Sequence, residues 1–170
     1  MGQEKMQRII ALFFVGANML ATATFWGATG VATADASSAG SLVPLTPKFR
    51  ACDFTWSENV PTMGKGSGQA VISKAASNRV VAQVQLIAAE PQAHYNVRLI
   101  QSPRNSAGCG AGDIGVTAGG IDTDGTGAGT MTLEGAISAN STGVWVFVDR
   151  PSAHSQTPID FYTSEVITPI

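Results

Sequence analysis

A chain of 170 residues, 44% hydrophobic and 13% charged, is material for one globular domain and lies well away from the composition of a disordered segment. The net charge of −2 at pH 7 is spread without a basic stripe, which excludes an electrostatic footprint for nucleic acid or an acidic membrane surface.

In chain order, "MGQEKMQR" carries Lys5 and Arg8 against Glu4, and the uncharged run "IIALFFVGANMLATA" follows. Small residues then lead to "ATADA", where Ala32 and Ala34, or Ala34 and Ala36, fit a cleavage site. This pattern reads as a secretory signal peptide over 1–34. The rival is a retained membrane anchor, because no charge stands between Arg8 and Asp35. No Cys follows the apolar run, so a lipid-modified amino terminus is not indicated, and nothing later is apolar enough to span. Without Lys5, Arg8 and Glu4 the remainder has 8 basic and 11 acidic residues, a net −3. The expected setting is secreted or cell-envelope.

Residues 35–48, "DASSAGSLVPLTPK", have the Ser, Ala, Gly and Pro usage of a flexible arm or linker. A β-domain is expected over 49–170. Its first run, "RACDFTW", puts Cys52, Phe54 and Trp56 on one face. "QAVISKA" and "RVVAQVQLIAA", joined at Ser77-Asn78, read as a hairpin with Val80, Ala82, Val84 and Leu86 inward. "HYNVRLIQ" turns Tyr95, Val97 and Leu99 in and Asn96 and Arg98 out. "DIGVTA", "TMTLEGAI", "GVWVFVD" and "IDFYTSEVI" complete eight runs of period-two or β-branched character, none with a 3.6 repeat. Strands separated by turns, without helices for parallel crossovers, predict an all-β antiparallel two-sheet sandwich, immunoglobulin-like, of seven or eight strands. A closed barrel is the second choice. Cys52 and Cys109, an even pair in an exported chain, are expected to form a disulfide, which leaves neither as nucleophile or ligand.

The chemically richest stretch is "GGIDTDGTGAGT", residues 119–130. Set against an EF-hand with Gly125 at position 6, it has Asp122 and Asp124 at positions 3 and 5. Gly120 and Met131 stand where ligands are required at 1 and 12. A hairpin turn between its flanking strands is the first reading. A weak calcium site on Asp122 and Asp124 is the second. His94 and His154 are too few and too separated for a zinc centre once both cysteines are bridged, and no cofactor is expected. "GKGSG" at 64–68 has Lys65 where a nucleophile elbow needs glycine, and Ser152, His154 and Ser155 share a loop without the geometry that defines a triad. In "GVWVFVD", Val144, Val146 and Val148 occupy one face and Trp145 and Phe147 the other, so both faces are apolar. Either the arm 35–48 or the loop 150–158 covers the aromatic face, which is the favoured reading, or Trp145 and Phe147 form an open ligand patch.

The segments "CDFTW", "HYNVRLIQ", "TDGTGAGT" and "GVWVFVD" together resemble small secreted proteins of actinobacteria, mycobacteria especially. The resemblance implies an exported β-sandwich domain, and it brings no catalytic residue with it. The function expected is therefore a secreted or envelope, non-catalytic binding module whose partner is a protein, glycan or lipid of the envelope or host. The alternatives are a metal-dependent or hydrolytic extracellular enzyme, or a calcium-binding exported protein.

Overall fold

The computed structural model describes residues 39–170. The expected signal segment over 1–34, and the first residues of the expected arm, lie outside the described residues. Among the described residues there is no helix, and nine strands follow in order: β1 Ser41–Thr46, β2 Ser67–Ala75, β3 Arg79–Ile87, β4 His94–Ser102, β5 Val116–Asp122, β6 Gly129–Ala136, β7 Gly143–Arg150, β8 Asp160–Ser164 and β9 Thr168–Pro169. No helix among them is long and apolar enough to cross a membrane.

All ladders are antiparallel and run through one sheet, not two, in the order β5-β4-β7-β8-β1-β2-β3-β6, with β9 beside β7. The terminal strands β5 and β6 pack side by side, so the sheet curls nearly into a barrel. The all-β, antiparallel expectation is met. The division into two sheets is not, because β1 and β8 join the two halves edge to edge through Leu45↔Ser164 and Thr46↔Thr163. The seam between β5 and β6 is closed by side chains against glycine. A Cβ on Gly119 would lie 2.5 Å from Met131 Cε, and one on Gly135 would collide with Thr117.

The interior follows from alternation. Val80, Ala82, Val84 and Leu86 of β3, Tyr95, Val97 and Leu99 of β4, and Val144, Val146 and Val148 of β7 all point into one buried cluster with Tyr162. The Ser77-Asn78 hairpin forms as expected, with Asn78 at φ 55° in the turn.

Two expectations are corrected. Residues 41–46 of the expected arm form β1, because Val43 and Leu45 supply two inward apolar positions that fill the barrel wall between β8 and β2. Pro44, which has no N–H, faces outward, and its carbonyl accepts from Glu165 N–H just past the β8 ladder. "RACDFTW" is a loop closed by a single Arg50↔Trp56 bridge. Cys52 and Phe54 pack against the outside of the sheet while Trp56 stays 50% exposed, and Phe54 sits at φ 72°, outside strand geometry.

Candidate functional site

Both faces of β7 are buried, for different reasons. The valines fill the barrel; Trp145 and Phe147 point outward with Ile100 and Phe161 into a second apolar cluster, capped by Phe49, Cys52, Phe54 and Val60. Phe49 meets Phe147 and Phe161 edge-on at 5.7 and 5.2 Å between centroids, and Phe54 meets Trp145 at 5.4 Å. The aromatic face is covered, as the favoured reading had it, and the alternative of an open ligand patch at Trp145 and Phe147 is not met: they are 0% and 3% exposed, under the loop that follows β1. The cover is neither of the two segments expected, although Gln156 and Pro158 of the loop 150–158 flank Phe147 from the side.

The Cys52–Cys109 disulfide forms, with its two Cα atoms 5.5 Å apart, and fastens this cap to the loop between β4 and β5. Cys52 N–H also donates to Ser106 C=O. The cap and the β4–β5 loop rise as two walls over the outer face of β4 and β7, and a groove with two lobes remains between and beside them. One lobe, about 480 Å³, is lined by Asn96, Arg98, Asp149, Ala111, Ala118 and Gly119. The other, about 340 Å³, is lined by Phe49, Cys52, Cys109, Phe147, Gln156 and Pro158 together with the same Arg98 and Asp149. Both volumes fall in the range of small-molecule sites.

Arg98 and Asp149 form the ridge shared by the lobes. Arg98 Nη2 donates to Asp149 Oδ1 at 2.6 Å, Nη1 donates to Cys109 C=O at 3.1 Å, and the guanidinium lies 4.3 Å over the Phe147 ring. Asn96 Nδ2 donates to Asp149 Oδ2 at 3.4 Å. The two charges, 20% and 9% exposed at the side chain, cancel within the groove. At the ridge no net charge is left, among donors, acceptors and small side chains; Arg50, which also lines the second lobe, has its guanidinium on the Ser164, Phe54 and Glu165 carbonyls. Beside the pair stand an amide, carbonyls and a disulfide, and Ser106 also lines the second lobe.

The acidic turn sits elsewhere. Asp124 Oδ1 accepts from Thr126 N–H, Thr126 Oγ1 and Ala128 N–H at 2.8, 2.7 and 3.0 Å, and these bonds, the Thr126 hydroxyl first, hold its carboxyl below the usual carboxylate range. Asp122 Oδ1 is 2.7 Å from His94 Nδ1. The stretch is a turn, as expected, but its flanking strands are not hydrogen-bonded as a hairpin: β5 pairs with β4 and β6 with β3. Thr123 anchors it by donating to Glu90 C=O and accepting from Ala93 N–H. Among the described residues no group of three or more His, Cys, Asp or Glu converges. Because the Asp124 oxygen is already engaged, millimolar calcium or EDTA is expected to leave the melting temperature unchanged; a calcium-dependent rise of several degrees would contradict this account. His154 lies in the loop 150–158, where its N–H caps on Ser152 Oγ.

A second polar cluster, not foreseen from sequence, closes one end of the barrel. Asp160 receives Arg150 through Nε at 3.3 Å and Nη2 at 3.1 Å, and Tyr95 donates to Asp160 Oδ2 at 3.2 Å. Glu90 N–H donates to Tyr95 Oη and Gly66 N–H to Tyr162 Oη, so two loops are pinned on two buried phenols. Burial, helped by the Asp160 charge, pushes the Tyr95 hydroxyl up to about 12. A phenol raised above its ordinary 10.0 stabilises the fold fully below pH 10, and that contribution is lost as pH rises toward about 12. Urea midpoints are expected to fall across this window, and to fall less steeply in Tyr95→Phe.

The class defined by this geometry is an antiparallel, nearly closed β-barrel carrying a disulfide-fastened external cap. No protein-family model matches the chain, no curated protein matches it, and no solved structure matches its fold.

Proposed function

We propose that the protein is a secreted or cell-envelope, non-catalytic binding module, and that its ligand is a neutral, hydroxyl-rich chain such as an envelope glycan, lying across the groove over β4 and β7. The observation that carries this reading is the Arg98–Asp149 pair at the groove's centre. Each charge is satisfied by the other, so a charged ligand gains little there. The remaining Asn96 amide, Asp149 oxygens and guanidinium N–H groups favour a partner that both donates and accepts. Two lobes meeting at one ridge suit an extended ligand of more than one unit, and Ala111 and Ala118 leave room for a ring to approach the sheet. The resemblance to exported actinobacterial domains agrees with this setting, as does the disulfide.

Ala118 is exposed on β5 and makes no side-chain hydrogen bond, so enlarging it blocks a lobe without breaking the pair. With neutral glucan, mannan and arabinan oligosaccharides as probes, saturable binding is expected for the intact protein and at least tenfold weaker binding for Ala118→Phe, with an unchanged melt. Failure of every probe, or equal binding by Ala118→Phe, would overturn the reading.

A further inference from the structure

We propose that a separate cavity, between the start of the β4–β5 loop and the turn before β7, is a binding site for a tetrahedral oxyanion of the phosphate or sulfate type, with Arg104 as its cationic anchor. The cavity is about 190 Å³, below the range of drug-sized sites and suited to a compact group. Arg104, Ser138, Asn140 and Ser141 supply its polar wall, and no carboxylate lines it.

The guanidinium is only partly used by the protein. Nη2 donates to the carbonyls of Gly108 and Ile114, the latter at 3.1 Å. Nε and Nη1 are shut off from solvent and meet no acceptor. Carbonyl dipoles do not cancel a full positive charge, so the pocket keeps an uncompensated cation with unspent N–H donors. Buried polar groups are ordinarily satisfied, and two donors left without an acceptor on a side chain that lines the cavity mark where an acceptor is missing.

The neighbours fit the same chemistry. Ser138 N–H is held by Gln101 Oε1 at 2.7 Å, which fixes the serine beside the cavity. Asn140, at φ 67°, bends the turn over it, and Ser141 N–H closes that turn on Ser138 C=O. An oxyanion with acceptors on every side takes the Arg104 donors once the guanidinium turns about Nη2 to bring Nε and Nη1 to the cavity, and meets the Ser138 hydroxyl and the Asn140 side chain opposite, the Ser141 hydroxyl being held by the Ser102 and Gly143 carbonyls. A carboxylate would leave one of these sides unfilled.

Phosphate and sulfate strengthen burial in any protein by exclusion from its surface, so the test is resolved by residue and not by melting. The full chain, labelled with nitrogen-15, is titrated with sodium phosphate and with sodium sulfate, against sodium chloride at equal ionic strength. Saturable shifts confined to Arg104 Nε and the amides of Gly108, Ser138, Asn140 and Ser141, absent with chloride, are expected. They persist, weakened, in Arg104→Lys and vanish in Arg104→Gln. Shifts spread over other surfaces, none at all, or equal shifts in Arg104→Gln overturn the proposal. Should Arg104→Gln fail to fold, the map on the unaltered chain decides alone. Because this site shares no lining residue with the glycan groove, its failure leaves that reading untouched, and the reverse holds.

Discussion

Replacing both cysteines, Cys52→Ser with Cys109→Ser, is expected to lower the unfolding free energy by about 2–4 kcal/mol, read from urea or guanidinium midpoints with and without the bridge. The bridge spans 57 residues, and on the chain-entropy model a closure of that length removes about 4 kcal/mol of denatured-state freedom. It does so at a place where the barrel offers little other help. The cap is held to the body by the cystine and the Cys52 N–H bond to Ser106, by aromatic edges and by Arg50, whose Nε and Nη2 reach the Ser164 and Glu165 carbonyls while its Nη1 bonds Phe54 C=O within the cap. Without the bridge, amide exchange is expected to rise over 49–60 before it rises in the barrel strands. Uniform protection across cap and barrel in the double serine variant would mean that the cap docks independently of the cystine.

The second large effect is Trp145→Ala, expected to cost about 3–5 kcal/mol, as for other buried aromatic truncations. Trp145 is 0% exposed and packs edge-on against both Phe54 and Phe147. Trp145→Phe is expected to be far milder than its loss of volume suggests. The indole Nε1 is buried without a partner, so the replacement removes an unsatisfied donor along with some contact. A denaturation midpoint unchanged in Trp145→Ala would return this residue to an exposed surface and undo the description of the cap.

How far the sequence reaches is clear from particular segments. β3, β4 and β7 are legible because each carries three or four inward apolar residues at strict period two, and that period is local information. β1 is hidden: only Val43 and Leu45 point inward, and Pro44 between them argues against a strand that pairs on both sides. "RACDFTW" misleads in the opposite direction, since a cap that buries Cys52 and Phe54 two positions apart starts the same alternation as a strand, and only the exposure of Trp56 breaks it. Closure into a near-barrel depends on which strands meet, β1 with β8 and β3 with β6, and no local pattern encodes those partnerships.

The same limit hides the groove. Arg98 and Asp149 each read as outward charges near strand residues, and 51 positions of chain separate them until β4 pairs with β7. Asn96, paired with Asp149 in that ladder, and Arg98 two positions on gave the one usable signal, two polar outward positions between the inward Tyr95, Val97 and Leu99. Tyr95 lies 65 positions from Asp160 and reaches it only once β4, β7 and β8 pair, although Arg150 and Asp160 are only 10 apart. The cystine was legible because it needs only a count of two.

The central claim is that recognition takes place in the groove outside a filled barrel. It is tested most directly by recording amide shifts of the unaltered chain on titration with the neutral oligosaccharides. Saturable changes centred on Asn96, Arg98, Ala111, Ala118 and Gly119 are predicted. Changes centred instead on the shallow cavity of β2, β3 and β6 that Gln69, Gln83 and Thr132 line, or no change with any of the sugars, would contradict it.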